Sequence, residues 1–149
     1  MVDAPDLGSG AERRESSSLL GGTIFIRITM NNYWGYHLIL DCSDLDPEAI
    51  KDTVVLDQWI RKLVQDIDMK AHGEPVITYN GEQPYHSGYT VVQIITTSSI
   101  VAHFIDKPAS CYLDVFSCKP FDFETVKNSM LENFGAKRMR QYFLTRQAD

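Results

Sequence analysis

Leu56, Trp59, Ile60, Leu63, Val64 and Ile67 fall at helical spacing and lay one continuous apolar stripe along an otherwise polar segment. The spacing predicts an amphipathic helix packed on a sheet, with Gly73 and Pro75 marking its end. A second stripe of Phe123, Val126, Met130 and Phe134 follows Asp122, whose carboxylate can cap the first free N–H groups, and stops at Gly135. Elsewhere the pattern is that of strands. Tyr36–Cys42 is a short run of strand formers ending in the loop Ser43-Asp44-Leu45-Asp46-Pro47. Pro75–Tyr79, Tyr89–Thr96, Ser99–Ile105 and Cys111–Cys118 read as further strands, with turn chemistry at Asn80-Gly81 and Lys107-Pro108, and Met139–Thr145 reads as the last. This order implies an α+β fold: a two-layer sandwich of a mostly antiparallel sheet with two helices on one face.

A chain of 149 residues can bury the core of one domain. Residues 1–29 open with Ser, Gly, Ala and charge and read as a disordered or non-native leader, although residues 22–29 are strand-like; residues 30–149 form the domain. The net charge of −6 and the scattered basic residues argue against nucleic acid as a partner. No apolar run approaches the roughly 20 residues of a membrane span, so a soluble protein is expected. Cys42, Cys111 and Cys118 are odd in number and widely spaced, which suits a reducing, cytoplasmic compartment better than a disulfide or zinc scaffold. His72 and His86, with Glu74 and Glu82, form no compact ligand set, so no metal is expected; His37 has no assigned role, and Trp34 and Trp59 read as packing residues.

Ser98 and His103 lie five residues apart, and Cys118 follows fifteen residues later. With His37-Leu38-Ile39-Leu40, Ser98-Ser99-Ile100, Asp114-Val115-Phe116-Ser117-Cys118 and the closing Ala136-Lys137-Arg138, the region 34–146 resembles the prokaryotic S-adenosylmethionine decarboxylase proenzyme family. The resemblance implies a self-cleaving, pyruvoyl-dependent enzyme that decarboxylates S-adenosylmethionine to the aminopropyl donor for spermidine synthesis. Ser98 would be the pyruvoyl precursor, cleaved from Thr97, and would form the Schiff base with substrate. His103 would accept the proton during processing, and Cys118 would donate the proton in catalysis. No pyridoxal phosphate is implied, and the family's habit is a homodimer with shared active sites.

The chain departs from the family pattern at two places. Thr97 stands where the family has Glu, and Phe104-Ile105-Asp106 follows His103 in place of Trp-Pro-Glu. Asp106 is a candidate for the acidic ribose contact, Tyr85 for the aromatic that stacks on adenine, and Thr90 for a residue that assists processing. Strand alternation puts Tyr112, Asp114, Phe116 and Cys118 on one face and Cys111 on the other, which favours Cys118 as the working thiol and leaves Cys111 and Cys42 to the core. It also puts Ser98 and His103 on opposite faces of a straight strand, so a bend or bulge is expected between them. Alternatives are a pyruvoyl-dependent decarboxylase of ornithine or arginine, and an unprocessed nucleoside-binding or regulatory homologue. A cysteine–histidine hydrolase built on Cys118 and His103 lacks a recognisable oxyanion loop.

Overall fold

Along Gly35–Ser43 (β1), Tyr36, Leu38, Leu40 and Cys42 are buried while His37, Ile39, Asp41 and Ser43 are half-buried, the two-residue period of a strand with a single covered face. The computed structural model describes residues 33–83 and 85–148; the leader and the strand-like residues 22–29 lie outside them. After β1 come a short 3₁₀ turn at Ala49–Lys51, α1 (Thr53–Asp66), β2 (Val76–Asn80), β3 (Gly88–Ile95), β4 (Ser98–Ile105), β5 (Ser110–Ser117), α2 (Phe123–Phe134) and β6 (Arg138–Arg146). The strands form one sheet in the order β2-β3-β4-β5-β1-β6. Every pairing is antiparallel. The fold is therefore the two-layer α+β sandwich.

Local chemistry sets the helix limits. The Asp52 carboxylate accepts from the Val54 and Val55 N–H groups at 2.8 and 3.3 Å. Asp122 accepts from Glu124 N at 3.0 Å and from the Thr125 hydroxyl at 2.8 Å. Such caps are worth about 1 kcal/mol each. Gly135, at φ +62°, closes α2 in the left-handed conformation. Helix α1 stops at Asp66, well before the expected Gly73, because Asp68 turns the chain at φ +56°, a region that a short polar side chain tolerates.

Trp59 ties the layers together. Its ring meets Phe104 of β4 edge-on at 5.5 Å and Phe134 of α2 at 5.2 Å, and its Nε1–H donates to the Ser129 hydroxyl at 2.9 Å. Leu38, Leu40, Leu63, Ile100, Leu113 and Met130 belong to the same buried core, each at most 1 % exposed. Each such side chain contributes about 1.5–3 kcal/mol on burial. Trp34 differs from the packing role expected of it: it is 64 % exposed, with its ring 6.0 Å from Phe116. The other sheet face carries Val76, Ile94, Tyr112, Tyr142 and Leu144, all exposed.

Candidate active site

Ser98 opens β4 directly after the Thr96-Thr97 turn that joins β3 to β4. Ser98 faces Ile95 on one side and Ser117 on the other, and the ladder continues one step past β5, where the Cys118 N–H donates to the Thr97 carbonyl at 3.0 Å. Ser98 has φ +152°, a region that side-chain-bearing residues rarely occupy. Cys118 is exposed, whereas Cys42 and Cys111 are buried register partners on the helix side. Burial, with a smaller contribution from Asp41, pushes the Cys42 thiol up to about 12, and burial holds Cys111 well above its ordinary range.

The expected bend between Ser98 and His103 is absent. Both ladders of β4 run without a skipped partner, from Ile95↔Ser98 to Thr90↔His103 and from Ser98↔Ser117 to Ile105↔Ser110. The distortion sits at Ser98 itself, at the strand start, where an unusual φ leaves the following pairings intact. Five strand residues span about 16 Å at roughly 3.3 Å each, so the two side chains belong to separate clusters.

His103, exposed on the uncovered face, shares a hydrogen bond between Nδ1 and the Thr90 hydroxyl at 3.0 Å and has Tyr112 as its register neighbour on β5. Farther along, Asp106 accepts from the Tyr79 hydroxyl at 3.0 Å, and that bond raises the Tyr79 phenol above its ordinary value. Tyr85 is 82 % exposed in the connection before β3. The structure thus joins Thr97, Ser98 and Cys118, and separately Thr90 and His103. Among the described residues no three metal-ligating side chains converge.

Two sets of residues were not anticipated. On the uncovered face, His37 Nε2 donates to Asp114 Oδ1 at 2.8 Å, and the Arg146 guanidinium approaches His37 Nδ1 at 3.4 Å while lying 5.4 Å from the Phe116 ring centre. Trp34, Phe116, Arg146, Gln147 and Ala148 line a cavity of about 310 Å³ there. The shared parity of Asp114, Phe116 and Cys118 was the available signal for this cluster. The second set is Asp68 and Met69, just past α1. The Met69 sulfur accepts from the Thr97 hydroxyl at 3.2 Å, and Asp68 accepts from Lys119 Nζ through its backbone carbonyl at 2.7 Å and through its carboxylate. A loop methionine carries no periodic signal that would reveal this contact.

The fold defines the class first: a two-layer α+β sandwich similar to the crystal structure of the adenosylmethionine decarboxylase from Aquifex aeolicus VF5. The TM-score is 0.65 at 18 % identity, over 79 % of this chain and 94 % of that one. The pattern of the S-adenosylmethionine decarboxylase family matches residues 36–147, and the chain belongs to that family. It is 27 % identical over 109 residues to the S-adenosylmethionine decarboxylase proenzyme of Clostridium botulinum strain Langeland, covering 72 % of this chain and 89 % of that protein. The proenzyme of strain Loch Maree is 25 % identical over 107 residues, covering 71 % of this chain and 88 % of that protein.

Proposed function

We propose that this chain is a self-processing, pyruvoyl-dependent decarboxylase of S-adenosylmethionine that supplies the aminopropyl donor for spermidine synthesis. The observation that carries the reading is the Thr97–Ser98 peptide, with its carbonyl on the Cys118 N–H at 3.0 Å and its serine at φ +152°. Ser98 Oγ adds to the Thr97 carbonyl carbon, the peptide C–N bond breaks, and the hydroxyl proton passes to the freed amine, leaving an ester. As negative charge develops on the Thr97 oxygen, the Cys118 N–H is already aimed at it. Removal of the Ser98 α-proton then expels the Thr97 carboxylate, and one water converts the remaining enamine to a pyruvoyl group and ammonia. The residues present fit that group: position 98 begins a strand beside an exposed thiol on Cys118. Once formed, it supplies the carbonyl electrophile and electron sink for decarboxylation. Cys118 returns a proton to the substrate carbon.

His103 is the base for the α-proton, with Thr90 orienting its ring through Nδ1. Because a straight β4 keeps His103 away from Ser98 of the same chain, a homodimer supplies it from the second copy. The exposed Val76, Ile94, Tyr112, Tyr142 and Leu144 on the sheet face that bears His103 support such pairing. Intact-mass measurement tests the reading: chains 1–97 and 98–149, with a blocked start on the smaller, against an uncut Ser98→Ala protein. Carbon dioxide release from S-adenosylmethionine should accompany cleavage. Co-expressed Ser98→Ala and His103→Ala chains should recover about one quarter of wild-type sites, since half of random dimers are mixed and each holds one complete site. An uncut wild-type chain after long incubation, with no carbon dioxide release, would sink the proposal.

One observation favours a second reading of the substrate. Asp106 is bonded to Tyr79 and is therefore engaged where a ribose contact would require it. A pyruvoyl-dependent decarboxylase of ornithine or arginine is consistent with that, and competition among the three substrates separates the readings.

A further inference from the structure

We propose that Met69 is a positioning residue for the cleavage site: its thioether holds the Thr97 side chain and so fixes the carbonyl that Ser98 attacks. The proposal rests on the self-processing reading above and adds a residue to it. Met69 is itself anchored, because its N–H donates to the Val64 carbonyl at 2.9 Å at the end of α1. From there its sulfur accepts from the Thr97 hydroxyl at 3.2 Å and lies 3.8 Å from the hydroxyl of Ser117, the register partner of Ser98. The residues on either side grip the same turn. The Lys70 carbonyl accepts from Thr96 N at 2.9 Å, and Asp68 accepts from Lys119 Nζ. Lys119 N in turn donates to the Ser117 hydroxyl at 2.9 Å.

Thr96, Thr97, Ser117 and Lys119 are thus all tied to three consecutive residues following α1, and between them lies the hydrogen bond from Cys118 N–H to the Thr97 carbonyl. A thioether is a weak acceptor, but it is soft and conforms to irregular gaps. Here it satisfies a half-buried threonine hydroxyl whose rotation would otherwise be open. The helix end, the sulfur and the scissile residue form one mechanical chain, in which the uncharged Thr97 is held by the fold.

The test uses the full chain in two forms. In newly synthesised protein from a cell-free reaction, the appearance of the two fragments is timed. In the uncleavable Ser98→Ala protein, hydrogen exchange of the Cys118 amide is followed by NMR. Met69→Leu keeps the volume and removes the acceptor, Thr97→Val removes the donor, and Met69→Gln restores an acceptor of similar reach. Loss of one net hydrogen bond should slow cleavage by about five-fold in Met69→Leu and Thr97→Val, with no further loss when the two are combined. Exchange at Cys118 should accelerate by a similar factor in Met69→Leu, and Met69→Gln should recover both. Cleavage and exchange at wild-type values in Met69→Leu would overturn the proposal, as would a loss that Met69→Gln fails to rescue. If the wild-type chain never cleaves, the self-processing reading falls, and the Cys118 exchange rates alone decide the role of Met69.

Discussion

Ser98 offers a direct measurement of the strain held at the proposed cleavage site. Replacing it by Ala or by Gly removes the proposed nucleophile in either case, so both proteins should stay intact and are compared on equal terms. Both variants lose the hydroxyl, so its contribution cancels in the comparison. What differs is the Cβ at φ +152°. A side-chain-bearing residue in that region costs about 1–3 kcal/mol, and glycine escapes the cost. Against this, glycine gives the unfolded chain more freedom, worth about 0.4–1 kcal/mol in favour of Ala. The difference leaves Ser98→Gly more stable than Ser98→Ala by about 1 kcal/mol, or about 4 °C in Tm for a domain of this size. Parallel urea and thermal unfolding of the two purified variants reads it. Equal stability, or an advantage for Ala, would mean that the precursor holds no strain at this residue.

Alkylation with iodoacetamide at pH 8 should modify only Cys118 in the native protein and all three thiols after unfolding, because Cys42 is pushed up to about 12 and Cys111 is inaccessible; a second label on the folded chain refutes the burial. Gly88→Ala should destabilise the domain by about 3 kcal/mol or more, since an added Cβ would stand 1.9 Å from the Phe104 carbonyl oxygen at a φ of +155°. A thermal shift of only a degree or two would refute that clash. The Asp68 carboxyl, held below its ordinary 3.8 by the Lys119 hydrogen bond and then by its charge, should titrate below 3.8 by NMR and return toward it in Lys119→Met. A depressed folded value means that the stabilisation is present above 3.8 and lost as pH falls through the lower folded value, so the clasp should open only in acid.

Most of the layer architecture was legible because it is periodic. The stripe from Leu56 to Ile67 could face only one way, and Asp122 with Gly135 bracketed α2 by capping chemistry. The alternation of β5 separated exposed Cys118 from buried Cys111. The end of α1 was not legible, since Gly73 and Pro75 are stronger stop signals than Asp68, yet Asp68 makes the turn. The bend expected after Ser98 came from placing serine and histidine in one site of one chain. The uninterrupted ladders of β4 show no such bend and leave the distortion at Ser98 alone. Contacts between distant segments, such as Met69 with Thr97 and His37 with Asp114, have no local signature in sequence.

The two departures from the family pattern sit in different surroundings. Thr97 stands in place of glutamate; its carbonyl, the proposed target of the attack, is held by the Cys118 N–H while the shorter side chain finds Met69. In the proposed reading these contacts, rather than a negative charge at this position, orient the bond. Phe104 has become core, 1 % exposed against Trp59 and Phe134, and its neighbour Asp106 is drawn to Tyr79 at the far end of β4. Within the proposed reading, the first departure bears on the rate of maturation and the second on what is decarboxylated. Cleavage kinetics and substrate choice should therefore respond independently: Asp106→Asn alters competition between S-adenosylmethionine and ornithine or arginine without changing fragment appearance, and Thr97→Val does the reverse.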